Sequence, residues 1–420
     1  MSATGTHRAI EAVWRIEAAK LIAGLARMTR DVGAAEDLAQ EALLQALERW
    51  PGTGIPDKPG AWLMATAKNR AIDQMRRRKM ADGKHAEIGR DADLEQERAV
   101  DAIDAALDDD VGDDLLSLMF TACHPLLAKE ARVALTLRML GGLATDEIAR
   151  AFLVPEPTIA QRIVRAKRTL AEAGVAFEKP RGPELAERLS SVLEVIYLVF
   201  NEGYAATAGD DWMRPQLCEE ALRLGRVLAE LAPAEPEVHG LVALMEIQAS
   251  RFAARTDANG DPILLLDQNR GRWDQLLIRR GLAAIARAVH LDQMPGPYLL
   301  QAEIAACHAR ARTAEETDWT RIAALYDALA ALVPSPIVEL NRAVALGFAE
   351  GAAAGLAAVD VIADDPALKA YHLLPSVRGD FLRKLGRMSK AKVEFERAAA
   401  MTRNARERAL LLQRAADCAN

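Results

Sequence analysis

One stretch, residues 58–80 (KPGAWLMATAKNRAIDQMRRRKM), constrains the fold most, because its pattern predicts a single helix with two incompatible faces. Pro59 suits a first helical turn, and Trp62, Leu63 and further apolar residues recur at helical spacing. The opposite face and the C-terminal end are basic, with Asp73 as their one acid. Such a helix requires a core on one side and a polyanion on the other, unless its basic end only complements the helix dipole in solvent. The polar and basic residues are Lys68, Asn69, Arg70, Arg76, Arg77, Arg78 and Lys79.

The rest of the chain is also patterned for helices. Aromatic residues make up 5% of the 420 residues, and apolar runs with period two are hard to find, so we expect an all-α protein. A hydrophobic share of 51% with 27% charged residues is typical of folded domains, and this length accommodates about two to four of them. No apolar run approaches the ~20 residues of a membrane span, and the N-terminus lacks the apolar core of a signal peptide. We therefore expect a cytoplasmic protein without membrane contact.

The cysteine pattern argues against a disulfide framework and against a zinc site. The four cysteines lie roughly a hundred residues apart and form no CxxC pair. Two of them precede a histidine, but adjacent residues on a helix point in different directions, so core cysteines are favoured over metal ligands. We expect neither a metal nor a cofactor, and the residues concerned are Cys123, Cys218, Cys307 and Cys418.

The charge distribution divides the first 180 residues into three parts. The net charge of the chain is −7, which is unusual for a nucleic-acid-binding protein. Residues 87–114, however, hold 12 acidic and 2 basic residues, and without them residues 1–180 carry 23 basic and 16 acidic residues. Blocks of like charge are typical of solvated linkers. We therefore predict a basic domain at 1–82, an acidic linker at 83–113 and a second basic domain at 114–178.

The segment before the basic helix is expected to contain two amphipathic helices. Residues 31–33 are expected to separate them, and the second is expected to open with Glu36 and Asp37. Within AEDLAQEALLQAL, residues 35–47, Gln40 and Glu41 lie away from the leucines and are available to a partner. The Gly- and Pro-rich residues 50–60 are expected to form a loop that leads into the basic helix.

A helix-turn-helix is predicted at residues 145–170, TDEIARAFLVPEPTIAQRIVRAKRTL. Thr145 is the expected N-cap, Leu153 is expected to pack inside with Ile148 and Ala149, and Pro157 starts the second helix. The second helix has the composition of a major-groove reader, although two packed core helices produce a similar pattern. Its candidate DNA-binding residues are Thr158, Gln161, Arg162, Arg165 and Lys167.

The two basic blocks resemble regions two and four of the sigma-70-type extracytoplasmic-function (ECF) sigma factors of bacterial RNA polymerase. The first resemblance covers about residues 8–80 and rests on AEDLAQEALLQAL followed by KPGAWLMATAKNRAIDQMRRRK. It implies that Asp37, Leu38, Gln40 and Glu41 contact the β′ clamp helices of core RNA polymerase. It also implies that the basic helix melts and reads the minus-ten promoter element, through Lys68, Asn69, Arg70, Asp73, Arg76 and Arg77.

The second resemblance implies that residues 114–178 read the minus-thirty-five promoter element. The chain departs from the family at Pro155 and Pro157, where small polar residues are more usual before the recognition helix. The acidic linker would then separate two DNA-reading modules by a promoter spacer without binding DNA itself.

Residues 179–420 extend beyond the ordinary short members of that family and are also patterned for helices. Ala343, Gly355 and Val359 align with Gly379, Ala391 and Phe395 at a constant offset of 36 residues, close to the ~34 of tetratricopeptide repeats. The arrangement resembles the subgroup with a long tetratricopeptide-like C-terminal extension, although a generic α-bundle remains open. The resemblance implies an intramolecular or anti-sigma-like partner for the extension. Residues 199–204 (VFNEGY) are expected to form a helix end with a glycine cap, and residues 257–274 a polar loop that closes on Trp273.

These features favour an alternative sigma factor over two rivals. A transcriptional regulator with a single helix-turn-helix and a tetratricopeptide-like sensor would carry a similar block at 144–168. Such a regulator does not require a polymerase-docking helix followed by a basic helix, which the resemblance implies for residues 36–80. An enzyme is disfavoured because the sequence has no phosphate-cradling glycine loop, nucleophile elbow or HExxH motif. We therefore expect no catalytic residue.

Overall fold

The computed structural model describes residues 3–81 and 111–419, and the chain divides into two compact units, Met1–Ile196 and Tyr197–Asn420. Most of the predicted acidic linker, residues 83–110 of 83–113, lies outside the described residues. Within the described ranges the chain forms eighteen α-helices, four short 3-10 turns and a single pair of two-residue strands. The all-α prediction is thus confirmed.

The first unit is built around its N-terminal helix, α1. This helix carries an apolar stripe through Ile10, Trp14, Ile22 and Leu25, all buried, and it packs against α2, α3, α4 and α5. The helices of the unit are α1 Ala3–Thr29, α2 Val32–Thr53, α3 Pro59–Ala81, α4 Val111–Ala122, α5 Lys129–Met139, α6 Thr145–Phe152, α7 Glu156–Glu172 and the first part of α8 Pro183–Tyr204. Because α4 begins at 111, the last three residues of the predicted linker are helical.

The start of α2 differs from the prediction. The break between α1 and α2 falls at residues 30–31, and the Asp31 carboxylate caps α2 by accepting hydrogen bonds from the backbone N–H groups of Gly33 and Ala34, at 2.8 and 3.1 Å. Glu36 and Asp37 consequently lie beyond the first turn, where they do not cap the helix. At its other end α2 continues to Thr53, so only part of the predicted loop at 50–60 is loop.

The helix-turn-helix forms as α6 and α7, with two corrections. Thr145 is the first residue of α6, and the cap comes from Glu147, whose carboxylate accepts a hydrogen bond from the Ala144 N–H at 2.8 Å. Leu153 has a φ of +50° in the turn and is 54% exposed, so the prediction that it packs inside is wrong. The left-handed conformation at this turn points its side chain away from the core. The two residues predicted to pack with it, Ile148 and Ala149, are buried.

The first part of α8 packs with α4 and α5. Arg188 donates a hydrogen bond to the backbone carbonyl of Phe120 at 2.9 Å, and Arg132 donates to the hydroxyl of Ser191. The first compact unit therefore extends beyond residue 178, to Ile196.

The second unit is a run of helices in which successive members pack on each other. The offset of 36 residues reappears here, because the pair α14 and α15 is followed by the pair α16 and α17. Close approach explains the small residues, since a Cβ on Gly355 would lie 2.7 Å from the Cα of Gly347. The helices after α8 are α9 Pro215–Leu231, α10 Pro236–Ala249, α11 Gln275–His290, α12 Pro297–Arg310, α13 Trp319–Leu332, α14 Pro336–Ala349, α15 Ala352–Ile362, α16 Leu373–Lys384, α17 Met388–Met401 and α18 Ala405–Asp417.

The two ends of the second unit are joined. Strand β1, Ala208–Gly209, pairs in parallel with strand β2, Arg403–Asn404. The buried amide of Asn404 donates hydrogen bonds to the carbonyls of Ala206 and Asp211, at 3.2 and 2.9 Å. Gly203 lies inside the last turn of α8, so it is not a cap. The position requires glycine for close packing, because a Cβ there would be 2.8 Å from the backbone nitrogen of Cys218.

The predicted loop at 257–274 lies partly against the repeat helices. Asp261 forms an ion pair with Arg406 at 2.7 Å, and Leu264 lines a cavity of about 220 Å³ together with Phe348 and Phe381. Trp273 is 4% exposed, which confirms that the loop closes on this side chain. The extension therefore covers part of its own repeat surface with this loop.

Candidate nucleic-acid and polymerase interface

Helix α3 has the two faces that its sequence predicts. Leu63, Ala67 and Ala71 are buried, while Asn69 and Arg70 are exposed. Trp62 is half-buried and meets Trp50 edge to face, with ring centroids 5.2 Å apart. Asp73 is exposed as well, whereas Lys68 is only 9% exposed and lies mostly on the inner side. Arg76 and Arg77 belong to α3, but their side chains lie outside the described residues.

The candidate DNA-binding and polymerase-binding residues of the first block are neighbours. Arg70 forms an ion pair with Glu41 of α2 at 2.7 Å, and both side chains are substantially exposed. With its amide oxygen turned towards Arg70, Gln45 accepts two further hydrogen bonds, at 2.6 and 2.8 Å. An exposed pair of this kind contributes at most about 1 kcal/mol, so either partner is free to exchange it for another ligand.

The candidate polymerase-binding residues of α2 separate into an outer and an inner group. Asp37 is exposed, and Gln40 and Glu41 are half-buried at the surface. Leu38 is 1% exposed and belongs to the core of the unit, so it contacts no partner in this conformation. Leu44 is exposed on the same helix and was not singled out from the sequence, because it falls among the leucines of the predicted apolar face.

In the helix-turn-helix, α7 turns Ile159, Ile163, Ala166 and Leu170 inward at helical spacing. Four of the five candidate DNA-binding residues stand on the other faces: Gln161 and Arg165 are exposed, and Thr158 and Arg162 are half-buried. The fifth, Lys167, points towards α2.

Lys167 is the centre of a charge cluster that connects the two candidate modules. Its ammonium group lies 2.8 Å from a carboxylate oxygen of Glu36 and 2.7 Å from one of Asp37. The other oxygen of Glu36 accepts a hydrogen bond from Arg138 of α5 at 3.0 Å. Glu36 is 4% exposed and Asp37 lies at the surface, so the network has a buried centre and one exposed carboxylate. We call these four residues the interregion cluster.

The electrostatics of the interregion cluster favour its charged form. Burial lowers the pKa of Lys167, but the carboxylates of Glu36 and Asp37 outweigh burial and raise it above its ordinary value. The helices also approach closely at this point, since a Cβ on Gly33 would lie 3.2 Å from the Cε atom of Lys167. This role of Glu36 was not predicted from the sequence, because it depends on residues more than a hundred positions away.

A second contact between the modules lies at the start of α6. Glu147, which caps that helix, also forms an ion pair with Arg15 of α1 at 2.6 Å. Next to it Gly142 has a φ of +65°, and a Cβ there would be 3.4 Å from the Cα of Arg15. A cavity of about 690 Å³, lined in part by Arg27, Arg30 and Lys167, opens beside the interregion cluster.

Three further features of the described part of the chain bear on its chemistry: the cysteines, the grouping of possible metal ligands and the polarity of the helices. All four cysteines are free and buried, and burial raises the pKa of the Cys123 thiol to about 11, so they are the core residues that the sequence predicts. Across residues 3–81 and 111–419 no three His, Cys, Asp or Glu side chains are grouped to hold a metal ion. No helix in those ranges is long and apolar enough to span a bilayer.

Comparison with known families places both modules. Residues 16–80 match Sigma-70 region 2, and residues 117–170 match Sigma-70, region 4. Residues 188–289 match a family of unknown function, DUF6596. The second match begins within α4 and ends two residues before the end of α7, so it includes the predicted helix-turn-helix at 145–170.

Similar proteins extend this picture. The ECF RNA polymerase sigma factor SigL of Mycobacterium tuberculosis is 31% identical over 156 residues, which are 36% of this chain and 81% of SigL. The probable ECF RNA polymerase sigma factor SigI of the same organism is 29% identical over 174 residues, 40% of this chain and 57% of SigI. An uncharacterised protein of Rhizobium meliloti is 45% identical over 388 residues, 92% of this chain and 90% of that protein. The chain belongs to the ECF RNA polymerase sigma factors.

Proposed function

We propose that this chain binds core RNA polymerase and directs it to specific promoters, with α3 reading the minus-ten element and α7 the minus-thirty-five element. The observation that carries the proposal is the adjacency of the two surfaces in the first block. The face of α2 with Asp37, Gln40 and Glu41 lies beside the face of α3 with Asn69 and Arg70, through the Arg70–Glu41 pair. A chain that docks on polymerase through α2 thereby presents α3 to the DNA that polymerase opens.

The proposed upstream contact uses the exposed side of α7. Arg162 and Arg165 are three residues apart on one helix face, and Gln161 lies four residues before Arg165. Arginine donates two N–H groups to guanine, and glutamine donates one N–H to adenine while its amide oxygen accepts a second hydrogen bond, so this face suits base edges in the major groove. Lys167 becomes available to DNA only after the interregion cluster opens.

The geometry of a promoter requires that opening. The two elements are about 25 base pairs apart, or roughly 85 Å at 3.4 Å per pair. A compact unit of about 200 residues has a radius of gyration of only about 16 Å. The two modules therefore cannot reach both elements while Lys167 remains bonded to Glu36 and Asp37. Since Asp37 is also a proposed polymerase contact, polymerase and Lys167 compete for the same carboxylate.

The proposed polymerase contact is tested by titrating labelled full-length chain with core RNA polymerase. Replacement of Asp37, Gln40 and Glu41 by Ala should weaken binding at least about tenfold if these residues form the centre of the interface. Glu48→Ala, at an exposed position of the same helix, is the matched control and should bind normally. Equal affinity of the triple variant and the control for core RNA polymerase would show that this face of α2 is not part of the interface.

The extension, in this proposal, acts on the activity of the two modules. Its helix pairs and the hydrogen bonds from Asn404 to the carbonyls of Ala206 and Asp211 give a scaffold suited to holding another protein surface. An extension that holds the factor idle and one that braces it on polymerase have opposite consequences when the extension is removed.

A further inference from the structure

Three arginines gather in the second unit between the end of α10 and the start of α11. The guanidinium carbon of Arg255 lies 3.5 Å from the ring centroid of Tyr204, and that of Arg251 lies 5.7 Å from the same centroid. Arg251 also faces Trp273 at 5.9 Å, and Arg270 faces Trp273 from 5.0 Å. Arg251 thus stands between the other two. We call Arg251, Arg255 and Arg270 the arginine cluster.

The arginine cluster has neutral partners. Arg251 donates a hydrogen bond to the Tyr204 hydroxyl at 2.6 Å, and Arg255 donates to the Tyr204 backbone carbonyl. Arg270 donates to the carbonyls of His308 and Ala311, at 2.7 and 2.9 Å, and to the hydroxyl of Thr317. Among the ion pairs of the described residues, none includes a member of the arginine cluster.

Like charges therefore stand close together in a partly buried place. Arg255 is 6% exposed; burial lowers its pKa and the charge of Arg251 lowers it further, against an opposing contribution from Tyr204. Burial likewise lowers the pKa of Arg270, with Glu315 and Glu316 opposing and Arg251 adding to the effect. Guanidinium groups stay protonated in proteins, so the cluster carries a positive charge that its neutral hydrogen-bond acceptors do not cancel.

Buried polar atoms beside the arginines have nothing to bond. The Nε atom of Arg251 and the Nε1 atom of Trp273 are buried donors without a partner among the described residues. The Nδ1 atom of His308 is also buried and unpartnered, and burial together with Arg251 and Arg270 lowers the pKa of that imidazole to about 4. Buried donors are nearly always satisfied in folded proteins, so unbonded ones next to excess positive charge are available to an acceptor of negative charge.

We propose that the arginine cluster binds a phosphate group, either free phosphate or the phosphate of a small molecule. Planar guanidinium forks match the oxygens of a phosphate, and such charge-assisted hydrogen bonds are about twice as strong as neutral ones. The stacking of the three side chains on Tyr204 and Trp273 holds these forks in position before the ligand arrives. Arg251, Arg255, Arg270 and Trp273 all fall within the segment matched to the family of unknown function, residues 188–289. This proposal concerns the second unit alone and does not rest on the proposed binding of polymerase and DNA.

The test is isothermal titration of the full-length chain with inorganic phosphate and, in a second arm, with adenosine monophosphate, each at ionic strength matched with sodium chloride. Saturable heat in at least one arm is expected, and the arm with the higher affinity identifies the source of the phosphate. Arg251→Gln should weaken binding by about tenfold or more, because it removes one charge-assisted fork. Arg287→Gln removes the same charge from an exposed position on α11 and should bind as the wild type does.

Three results would overturn the proposal: no saturable heat in either arm, equal weakening by Arg287→Gln, or unchanged binding by folded Arg251→Gln. If Arg251→Gln does not fold, Arg251→Lys replaces it, since lysine keeps the charge but loses the fork. Folded Arg251→Lys should then bind phosphate at least severalfold more weakly than wild type. Unchanged affinity would contradict the proposal and leave the arginine cluster with a structural role only.

Discussion

The ammonium group of Lys167, on the second helix of the helix-turn-helix, lies 2.8 Å from the carboxylate of Glu36, on the helix proposed to dock on polymerase. The carboxylate is almost completely buried, and Arg138 bonds its second oxygen. Lys167 thus connects the second helix of the helix-turn-helix to α2. The consequences of this bond can be measured in the isolated protein and on polymerase.

Glu36→Gln should destabilise the first unit by about 2–4 kcal/mol, because it removes the buried negative charge that Lys167 and Arg138 share. Glu41→Gln, which breaks only the exposed pair with Arg70, should cost less than about 1 kcal/mol. Thermal unfolding of both variants beside the wild type makes the comparison. Equal losses would mean that the interregion cluster is no stronger than a surface ion pair.

The stabilisation from Lys167 should persist to alkaline pH. Its pKa in the folded chain is raised above the ordinary value of 10.5, so the folded state binds this proton more tightly than the unfolded state does. The contribution is therefore complete below about pH 10 and is lost as the pH rises through the raised pKa. The difference in Tm between wild type and Lys167→Gln, followed from pH 8 to pH 11.5, should stay constant and then shrink. A difference that vanishes below pH 9 would contradict the assignment of this charge.

Replacement of Arg162 and Arg165 by Ala should reduce promoter-dependent transcription, with a loss of about 1–3 kcal/mol for each arginine that bonds a base edge. The loss should disappear on promoters with a scrambled upstream element if the contact is to bases, and it should remain if the contact is to phosphates. Arg150→Ala, on the exposed side of α6, is the matched charge control. Full activity of the double variant on every promoter would show that this face of α7 does not contact the upstream element.

The extension should be removed after residue 196 rather than after residue 179. The shorter chain would lose the first part of α8, whose Arg188 and Ser191 bond Phe120 and Arg132 in the first unit, so its behaviour would combine lost regulation with lost stability. We expect chain 1–196 to melt at a higher temperature than chain 1–179. Constitutive transcription by chain 1–196 would mean an inhibitory extension, and lost transcription a bracing one. Unchanged output and promoter choice would contradict the proposed coupling.

Local patterns predicted the helices well where the signal lies within one helical turn or one repeat. The apolar stripe of α7 and the offset of 36 residues both appear in the structure, because residues that share a buried face recur at a regular spacing. The four cysteines are buried, as predicted. Single positions at turns were less predictable. Leu153 is apolar but adopts a left-handed turn conformation, and Gly203 lies inside a helix, where the backbone of Cys218, fifteen residues later, leaves no room for a Cβ.

The sequence predicts which helix carries each candidate residue, but it does not predict the direction in which each side chain points. Every candidate side chain that the structure describes lies on the expected helix, yet Leu38 and Lys68 face inward and Lys167 faces α2. These directions depend on how α1 packs between the two modules, and a contact between residues 36 and 167 leaves no local trace in the sequence. The roles in polymerase and DNA binding stay predictions.

The most direct test of the account is run-off transcription across a genomic promoter library, with core RNA polymerase and the full-length chain, beside binding of the same duplexes by the chain alone. We predict that defined start sites appear only when both proteins are present, and that the chain alone binds duplex promoters weakly at physiological salt, because α3 is proposed to read a strand that polymerase opens. Tight, sequence-specific duplex binding by the chain alone, with no start sites gained on addition of polymerase, would contradict this account and favour a simple helix-turn-helix regulator.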